Sequence, residues 1–170
     1  MTKQELTFLA FLTATASVMH IVESFIFRAL PLPFLRLGLS NIVVLYLIWH
    51  HRILSAFVVA VAKSLIGAAV TFSLLSPAIL LSLGGGIMAV LAMSLSLIVR
   101  PRFSLTGISI MGAISHNLTQ LGLARLFIIT NNSLFVLTPI LLFLALLSGI
   151  ITAYICYYLE FKIPGLKAHI

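Results

Sequence analysis

Apolar residues dominate the chain in six long runs, which short connectors separate. The runs cover residues 6–27, 33–49, 53–75, 78–99, 105–129 and 134–159. Each is close to the roughly 20 residues that a helix needs to cross a bilayer core of about 30 Å. The connectors contain Pro31, Pro77, Pro101 and Asn131-Asn132, which are residues typical of turns. The pattern predicts an all-α integral membrane protein with six transmembrane helices in a single domain, residues 1–170.

The second run is the shortest of the six. Residues 37–49 alone would extend only about 20 Å as a helix. A spanning helix must therefore begin near Pro33, since proline is favoured in a first helical turn. Trp49 at its other end then fits an anchor at the membrane surface.

The basic residues predict the orientation of the helices, because cytoplasmic connectors carry an excess of Lys and Arg. One side collects Lys3, the connectors 50–52 and 100–102, and the C-terminal lysines, whereas two connectors on the other side are uncharged. Both termini are therefore expected on the cytoplasmic side of the cell's inner membrane. Arg28 and Arg36 flank the first outer connector and break this pattern.

Composition excludes several classes of enzyme. Of 170 residues, 62% are hydrophobic and 8% are charged, whereas soluble domains carry about 25% charged residues. The chain contains no aspartate, three glutamates (Glu5, Glu23 and Glu160) and a single cysteine, Cys156. It therefore lacks an aspartate pair, a Ser-His-Asp triad, a carboxylate-rich magnesium site and an internal disulfide. We expect no catalysis, no cofactor and no metal, and we attribute the net charge of +7 to membrane topology rather than to nucleic acid binding.

Polar residues within the apolar runs are energetically costly and tend to mark function. Lys63 and His116 fall near the middle of the third and fifth runs. His116 and Gln120 lie on one small and polar helix face, which also includes Ser109. Hydroxyl groups such as that of Ser109 can simply join helices. For His116, Asn117 and Gln120 together we favour a ligand site.

Lys63 lies too deep to reach the lipid headgroups easily, so it needs a partner inside the bundle. Glu23, a polar side chain and an anionic ligand are the alternatives, and the sequence does not choose among them. Asn41, in the outer half of the second run, is a further candidate for the site.

Arg36 falls in the predicted first turn of the second helix. Helix N-termini present free N–H groups and partial positive charge. A guanidinium added there makes a receptor for carboxylate or phosphate. The alternative is an arginine that reaches out to lipid headgroups. We favour the receptor and therefore expect a small, anionic ligand.

Two patterns of small residues indicate close helix contacts. Gly84-Gly85-Gly86 lacks the lysine and hydroxyl of a P-loop. It permits either close helix packing or a broken helix that faces a cavity. Ala10 and Ala14 form a small-xxx-small pair, and Ser17 and Ile21 continue that face, where a partner helix can approach.

Several of these motifs together resemble the family called heptaprenyl diphosphate synthase component I, or Gx transporters. The motifs are Pro31-Leu32-Pro33, Arg36-Leu37-Gly38-Leu39-Ser40-Asn41, Gly84-Gly85-Gly86, residues 103–109, and Gly112-Ala113 leading to His116-Asn117 and Gln120. This family in turn resembles the S components of energy-coupling-factor vitamin transporters.

The resemblance implies a six-helix membrane protein that binds a small nutrient near its outer face. It also implies a transmembrane coupling subunit with two ATPases as partners, docked through Ala10 and Ala14. Our first hypothesis is therefore a substrate-binding subunit of a transporter. The residues expected to bind the substrate are Arg36, Asn41, Lys63, His116, Asn117, Gln120 and Glu23.

Two other functions are compatible with the sequence. The family name suggests a non-catalytic membrane subunit of prenyl diphosphate synthesis, because catalysis would need carboxylates for magnesium and the chain has no aspartate. A small membrane scaffold is the third hypothesis. Neighbouring genes for a synthase or for transporter components would discriminate between the first two.

Overall fold

The computed structural model describes residues 3–28, 38–99, 103–128 and 132–162, and within them it contains helices and no strand. The predicted all-α class is therefore confirmed. The α-helices are α1 Lys3–Arg28, α2 Asn41–Trp49, α3 Ile53–Val70, α4 Pro77–Ile98, α5 Leu105–Phe127 and α6 Thr138–Lys162. A 3₁₀ helix, η1 Asn132–Leu137, precedes α6.

Four helical segments are long and apolar enough to cross a membrane, so the chain has the character of a multi-pass membrane protein. They are Lys3–Ile26, Ile53–Val70, Pro77–Ile98 and Phe135–Lys162. The 23 residues of α5 have sufficient length, but polar residues interrupt its apolar surface. The nine residues of α2 extend only about 14 Å and do not cross by themselves. Six spanning helices and cytoplasmic termini stay predictions.

Two predicted helix boundaries were wrong. The second helix begins at Asn41 rather than near Pro33, because residues 38–40 form a turn with Gly38 at φ 72°. The third helix ends at Val70 rather than at residue 75. There the Ser73 N–H donates to the Ala68 carbonyl at 2.8 Å, a bond that caps the helix.

The short helix α2 occupies the centre of the bundle. Every residue from Asn41 to Ile48 is buried, and α2 contacts each of the other five helices. Within the described ranges α1 packs against α3 and α2 but not against α4, α5 or α6. The outer helices expose large apolar side chains, as lipid contact permits. Helix α1 is thus an edge helix, whereas α2 is a core helix.

Two side-chain contacts hold the connector at the C-terminal end of α2. The Arg52 guanidinium lies 3.3 Å from the Glu5 carboxylate on α1. His50 Nε2 lies 3.9 Å from the Glu160 carboxylate on α6. The α2–α3 connector is therefore attached to both the first and the last helix of the chain.

Candidate functional site

Lys63 lies inside the bundle with only 2% of its surface exposed. Its Nζ donates hydrogen bonds to Ser40 Oγ at 2.9 Å and to Asn41 Oδ1 at 2.6 Å. A polar partner, one of the alternatives that the sequence left open, is therefore present. Two oxygens at the start of α2 thereby stabilise an ammonium group that burial would otherwise destabilise.

Glu23 holds the same turn from the other side. Its Oε1 accepts hydrogen bonds from the backbone N–H groups of Gly38 and, at 3.3 Å, of Leu39. These N–H groups precede α2, where an anion is favoured by the helix dipole. Ser40, the N-cap residue, makes no side-chain capping bond of its own. Glu23 therefore positions the turn that carries Ser40 and Asn41, whose side-chain oxygens accept the hydrogen bonds from Lys63.

The second group of predicted residues lies on α5, where His116, Asn117 and Gln120 are all at least nine-tenths buried. Asn117 Nδ2 donates to the Leu141 carbonyl at 3.2 Å, which ties α5 to the first turn of α6. Neither amide atom of Gln120 has a hydrogen-bond partner among the described residues. A buried amide without partners is costly inside a membrane, so Gln120 is suited to bind a polar ligand or water.

The glycine triplet of α4 lies between the predicted residues of α5 and the part of α3 that carries Lys63. A Cβ added at Gly85 would lie 2.9 Å from His116 Cε1 and 3.1 Å from Gln120 Cγ. A Cβ added at Gly86 would lie 3.9 Å from the hydroxyl of Ser64, the neighbour of Lys63. Since α4 is continuous from Pro77 to Ile98, close helix packing is the correct alternative and a broken helix is not.

A small cavity of about 10 Å³ lies beside Asn41, between α2, α4, α5 and α6. Gly38, Asn41, Met93, Ser109, Ala113, Ser148 and Thr152 line it. Ser109, Ser148 and Thr152 are not among the residues that the sequence predicts to bind the substrate. Ser148 and Thr152 lie four positions apart in the otherwise apolar sixth run, and this spacing is the signal in the sequence that could have identified them.

Arg36 lies outside the described residues, so its role stays a prediction. Lys63, Asn41 and Glu23 meet at the 38–41 turn, whereas His116 and Gln120 meet at Gly85. Asn117 contacts α6 instead. No group of three or more His, Cys, Asp or Glu side chains in the described ranges could hold a metal ion.

Ala10 and Ala14 lie on the exposed side of α1, as a docking face requires. Ser17, expected to continue that face, is 3% exposed and donates to the Thr13 carbonyl at 2.8 Å. The outward face instead continues through apolar residues such as Phe11 and Val18. The role of this face in docking stays a prediction.

Comparison with known proteins gives one match. The model of the family described as heptaprenyl diphosphate synthase component I matches residues 12–159. No curated protein and no solved structure matches the chain. The matched region contains Ala14 and the polar residues at the centre of the bundle, whereas Ala10 lies before it.

Proposed function

The chain belongs to the heptaprenyl diphosphate synthase component I family, and from this premise we propose that it is a membrane-embedded substrate-binding subunit. It would take up a small, anionic nutrient or precursor as the S component of an energy-coupling-factor-type transporter. It would act in the cell's inner membrane with both termini in the cytoplasm. A transmembrane coupling subunit with two ATPases would supply the energy, since the sequence carries no P-loop.

The observation that carries this proposal is the buried polar centre of an otherwise apolar bundle. Lys63, Asn41 and Glu23 are each at least 94% buried, and Gln120 is 98% buried. Burial of so many polar groups is costly and is only partly offset by hydrogen bonds between them, and ionisable residues inside membranes often mark substrate pathways. A scaffold that only spans the bilayer has no need of this centre.

The outward face of α1 supports the partner assignment. Ala10 and Ala14 leave a shallow strip between exposed apolar side chains, among them Leu6, Phe11 and Val18. Small residues of this kind let a second transmembrane helix approach closely. Because α1 is an edge helix, a partner can reach this strip without disturbing the bundle core.

The family description favours a second candidate, a non-catalytic membrane subunit of heptaprenyl diphosphate synthesis. Such a subunit would hold a prenyl chain for a separate catalytic component. The two candidate functions imply different ligands, because a prenyl diphosphate carries a long apolar tail and a small nutrient does not. The cavity beside Asn41 has polar lining residues, among them Ser109 and Thr152, which suit a polar group of a ligand better than a prenyl tail.

Native mass spectrometry of the protein released from lipid nanodiscs tests the proposal. The wild-type protein should retain a compact molecule, and Lys63→Met should retain at least tenfold less of it. Lys3→Met, which removes an exposed cation on α1, is the matched control and should retain the wild-type amount. Retention of a prenyl diphosphate would favour the second candidate. A wild-type protein that retains no small molecule and binds none from a metabolite library would refute substrate binding.

A further inference from the structure

Two buried hydroxyl groups beside Asn41 lack a hydrogen bond that many Ser and Thr side chains of this chain make. Within the described helices, eight Ser and Thr side chains donate to the carbonyl four residues earlier, as Ser64 does to Ala60 at 3.0 Å and Thr119 does to Ser115 at 2.7 Å. This is the usual way in which a helix satisfies a buried hydroxyl. Ser109 and Thr152 are both 3% exposed, yet neither hydroxyl makes a hydrogen bond within the described part of the chain. Both line the small cavity beside Asn41.

Asn41 supplies a third polar group to this cavity. Its Oδ1 accepts the hydrogen bond from Lys63, so its Nδ2 remains as a donor. Gly38 lies next to that amide, and a Cβ added at Gly38 would lie 3.0 Å from Asn41 Nδ2. Glycine at position 38 therefore keeps this side of the amide open.

The volume of the cavity limits its occupant to one small group. About 10 Å³ is the space that a single water molecule needs, and a stable buried water has two to four polar partners. Asn41 Nδ2 and the hydroxyls of Ser109 and Thr152 provide three. Without an occupant these three groups would face an empty cavity that offers them no hydrogen-bond partner, and an unsatisfied polar group costs about 1–3 kcal/mol.

The charges beside the cavity oppose an ionic occupant of either sign. The Lys63 ammonium lies 2.6 Å from Asn41 Oδ1, which disfavours a cation. The Glu23 carboxylate accepts the N–H of Gly38, and Gly38 itself lines the cavity, which disfavours an anion. Because Lys63 and Glu23 Oε1 both bond to the 38–41 turn, an uncharged group is favoured between them. It must accept a hydrogen bond, because the Asn41 amide can only donate there.

We propose that this cavity binds one uncharged oxygen atom, which is a water in the empty protein and a hydroxyl or carbonyl oxygen of the substrate in the loaded protein. The inference rests on the proposed function and specifies the inner end of the substrate. Ser109 and Thr152 join Asn41 as residues that select for that oxygen. Any anionic group of the substrate then binds elsewhere.

A high-resolution structure of the ligand-free protein in nanodiscs tests the first half of the proposal. It should show one ordered water within hydrogen-bond distance of Asn41 Nδ2 and of the Thr152 hydroxyl. A dry cavity, or one filled by a shifted side chain, would overturn the proposal.

Probe binding tests the second half, with acetamide, acetate and methylammonium as uncharged, anionic and cationic analogues of the inner end. Acetamide should raise the melting temperature of the wild-type protein at millimolar concentration. Thr152→Val should need at least fivefold more acetamide for the same rise. Thr119→Val is the matched control, because its hydroxyl is satisfied by its own helix, and it should behave as wild type. Ser109→Ala provides a second variant should Thr152→Val fold poorly.

The outcomes separate this inference from the proposed function. The uncharged subsite would be refuted if acetate or methylammonium raised the melting temperature in a way that depends on Thr152 and acetamide did not raise it. An ordered water without any protection by acetamide would mean a structural water only, and the substrate contact would be rejected. If Lys63→Met loses the retained molecule while Thr152→Val keeps it fully, the subsite fails and the transporter proposal stands.

Discussion

At the scale of single residues, the buried centre depends on few atoms. Lys63 is satisfied by Ser40 and Asn41, whereas the Gln120 amide has no partner among the described residues. A satisfied charge stabilises the folded protein, and an unsatisfied amide is poised to bind a ligand. Substitution of Lys63 should therefore lower both stability and ligand retention, whereas substitution of Gln120 should lower ligand retention more than stability.

A methyl group at Gly85 should displace the polar side chains of α5 that pack against it. Gly85→Ala would place a Cβ 2.9 Å from His116 Cε1 and 3.1 Å from Gln120 Cγ, so both side chains must move. We expect at least a tenfold loss of the retained molecule in native mass spectrometry. Gly122→Ala on α5 is the matched control, because an added Cβ meets nothing within 4 Å there. It should bind normally and gain about 0.5–1 kcal/mol of stability from helix propensity. Equal binding by the two variants would contradict a role for the α4–α5 contact.

Arg36 is expected to hold the anionic group of the substrate. Charge-assisted hydrogen bonds contribute about 1.5–3 kcal/mol, so Arg36→Ala should weaken affinity about tenfold to a hundredfold. Arg36→Lys should restore only part of it, since lysine lacks the planar fork. Titration of the identified molecule against each variant measures this. Wild-type affinity in Arg36→Ala would identify Arg36 as a lipid anchor.

At the scale of elements, two glutamates of α1 make contacts beyond the two ends of α2, one at each end. Glu5 contacts Arg52 beyond the C-terminus of α2, and Glu23 contacts the turn before its N-terminus. Because α2 is a short and fully buried helix, it should follow displacements of α1 as a rigid body. A partner that moves α1 would thereby move the turn that holds Lys63.

Glu23 should control the stability of the 38–41 turn. Glu23→Ala removes the acceptor of two backbone N–H groups. Charge-assisted bonds contribute about 1.5–3 kcal/mol, so hydrogen exchange of a peptide covering residues 38–42 should accelerate about tenfold to a hundredfold. Glu23→Gln keeps an acceptor and should accelerate it less. Glu5→Ala breaks the ion pair at the opposite end, and exchange as fast in this control as in Glu23→Ala would argue against a local role for Glu23.

The exposed strip on α1 should be needed for docking and not for ligand binding. Ala14→Leu adds bulk where a partner helix would approach, and we expect loss of co-purification with a coupling subunit. Retention of the small molecule should stay near the wild-type level. Ala69→Leu, the same change at an exposed position of α3, is the control. Equal loss of docking and ligand would mean that Ala14 packs inside the bundle.

At the scale of the whole molecule, orientation decides which end of the polar centre the substrate reaches first. Lys63 lies well inside α3, and the contacts of Arg52 with Glu5 and of His50 with Glu160 mark the end of the bundle predicted to be cytoplasmic. The Asn131-Asn132 connector then belongs to the outer end. Substrate would enter from that side and reach the 38–41 turn in the core.

Cysteine accessibility tests this orientation in a Cys156→Ser background, which removes the single native cysteine. An impermeant thiol reagent should label Ala168→Cys only from the cytoplasmic side. It should label Asn132→Cys only from the opposite side. Labelling of both cysteines from the same side would require an even number of spans between them, whereas the six-helix topology has one, α6, and it would therefore overturn that topology.

The sequence by itself determined the helical class, the membrane character and the chemistry of the buried centre. Long apolar runs can only satisfy their backbone groups as helices in lipid, and polar residues such as Lys63 and Gln120 are rare enough there to be recognised individually. Local chemistry also placed helix starts, as with Ser104, whose hydroxyl accepts from the Gly107 N–H at 3.2 Å. These features depend on residues close together in the chain, so pattern and spacing are sufficient.

Only the tertiary structure decided which polar groups meet and which helix lies inside. Lys63 and Asn41 are 22 positions apart, and the contact of Glu23 with Gly38 spans 15. No periodicity relates such positions, because their proximity depends on how whole helices pack. The same holds for Ser109 and Thr152, which look like ordinary helix contacts until α5 and α6 bring them to one cavity. The burial of α2 follows likewise from its five neighbours, since its apolar sequence suits lipid and protein core equally.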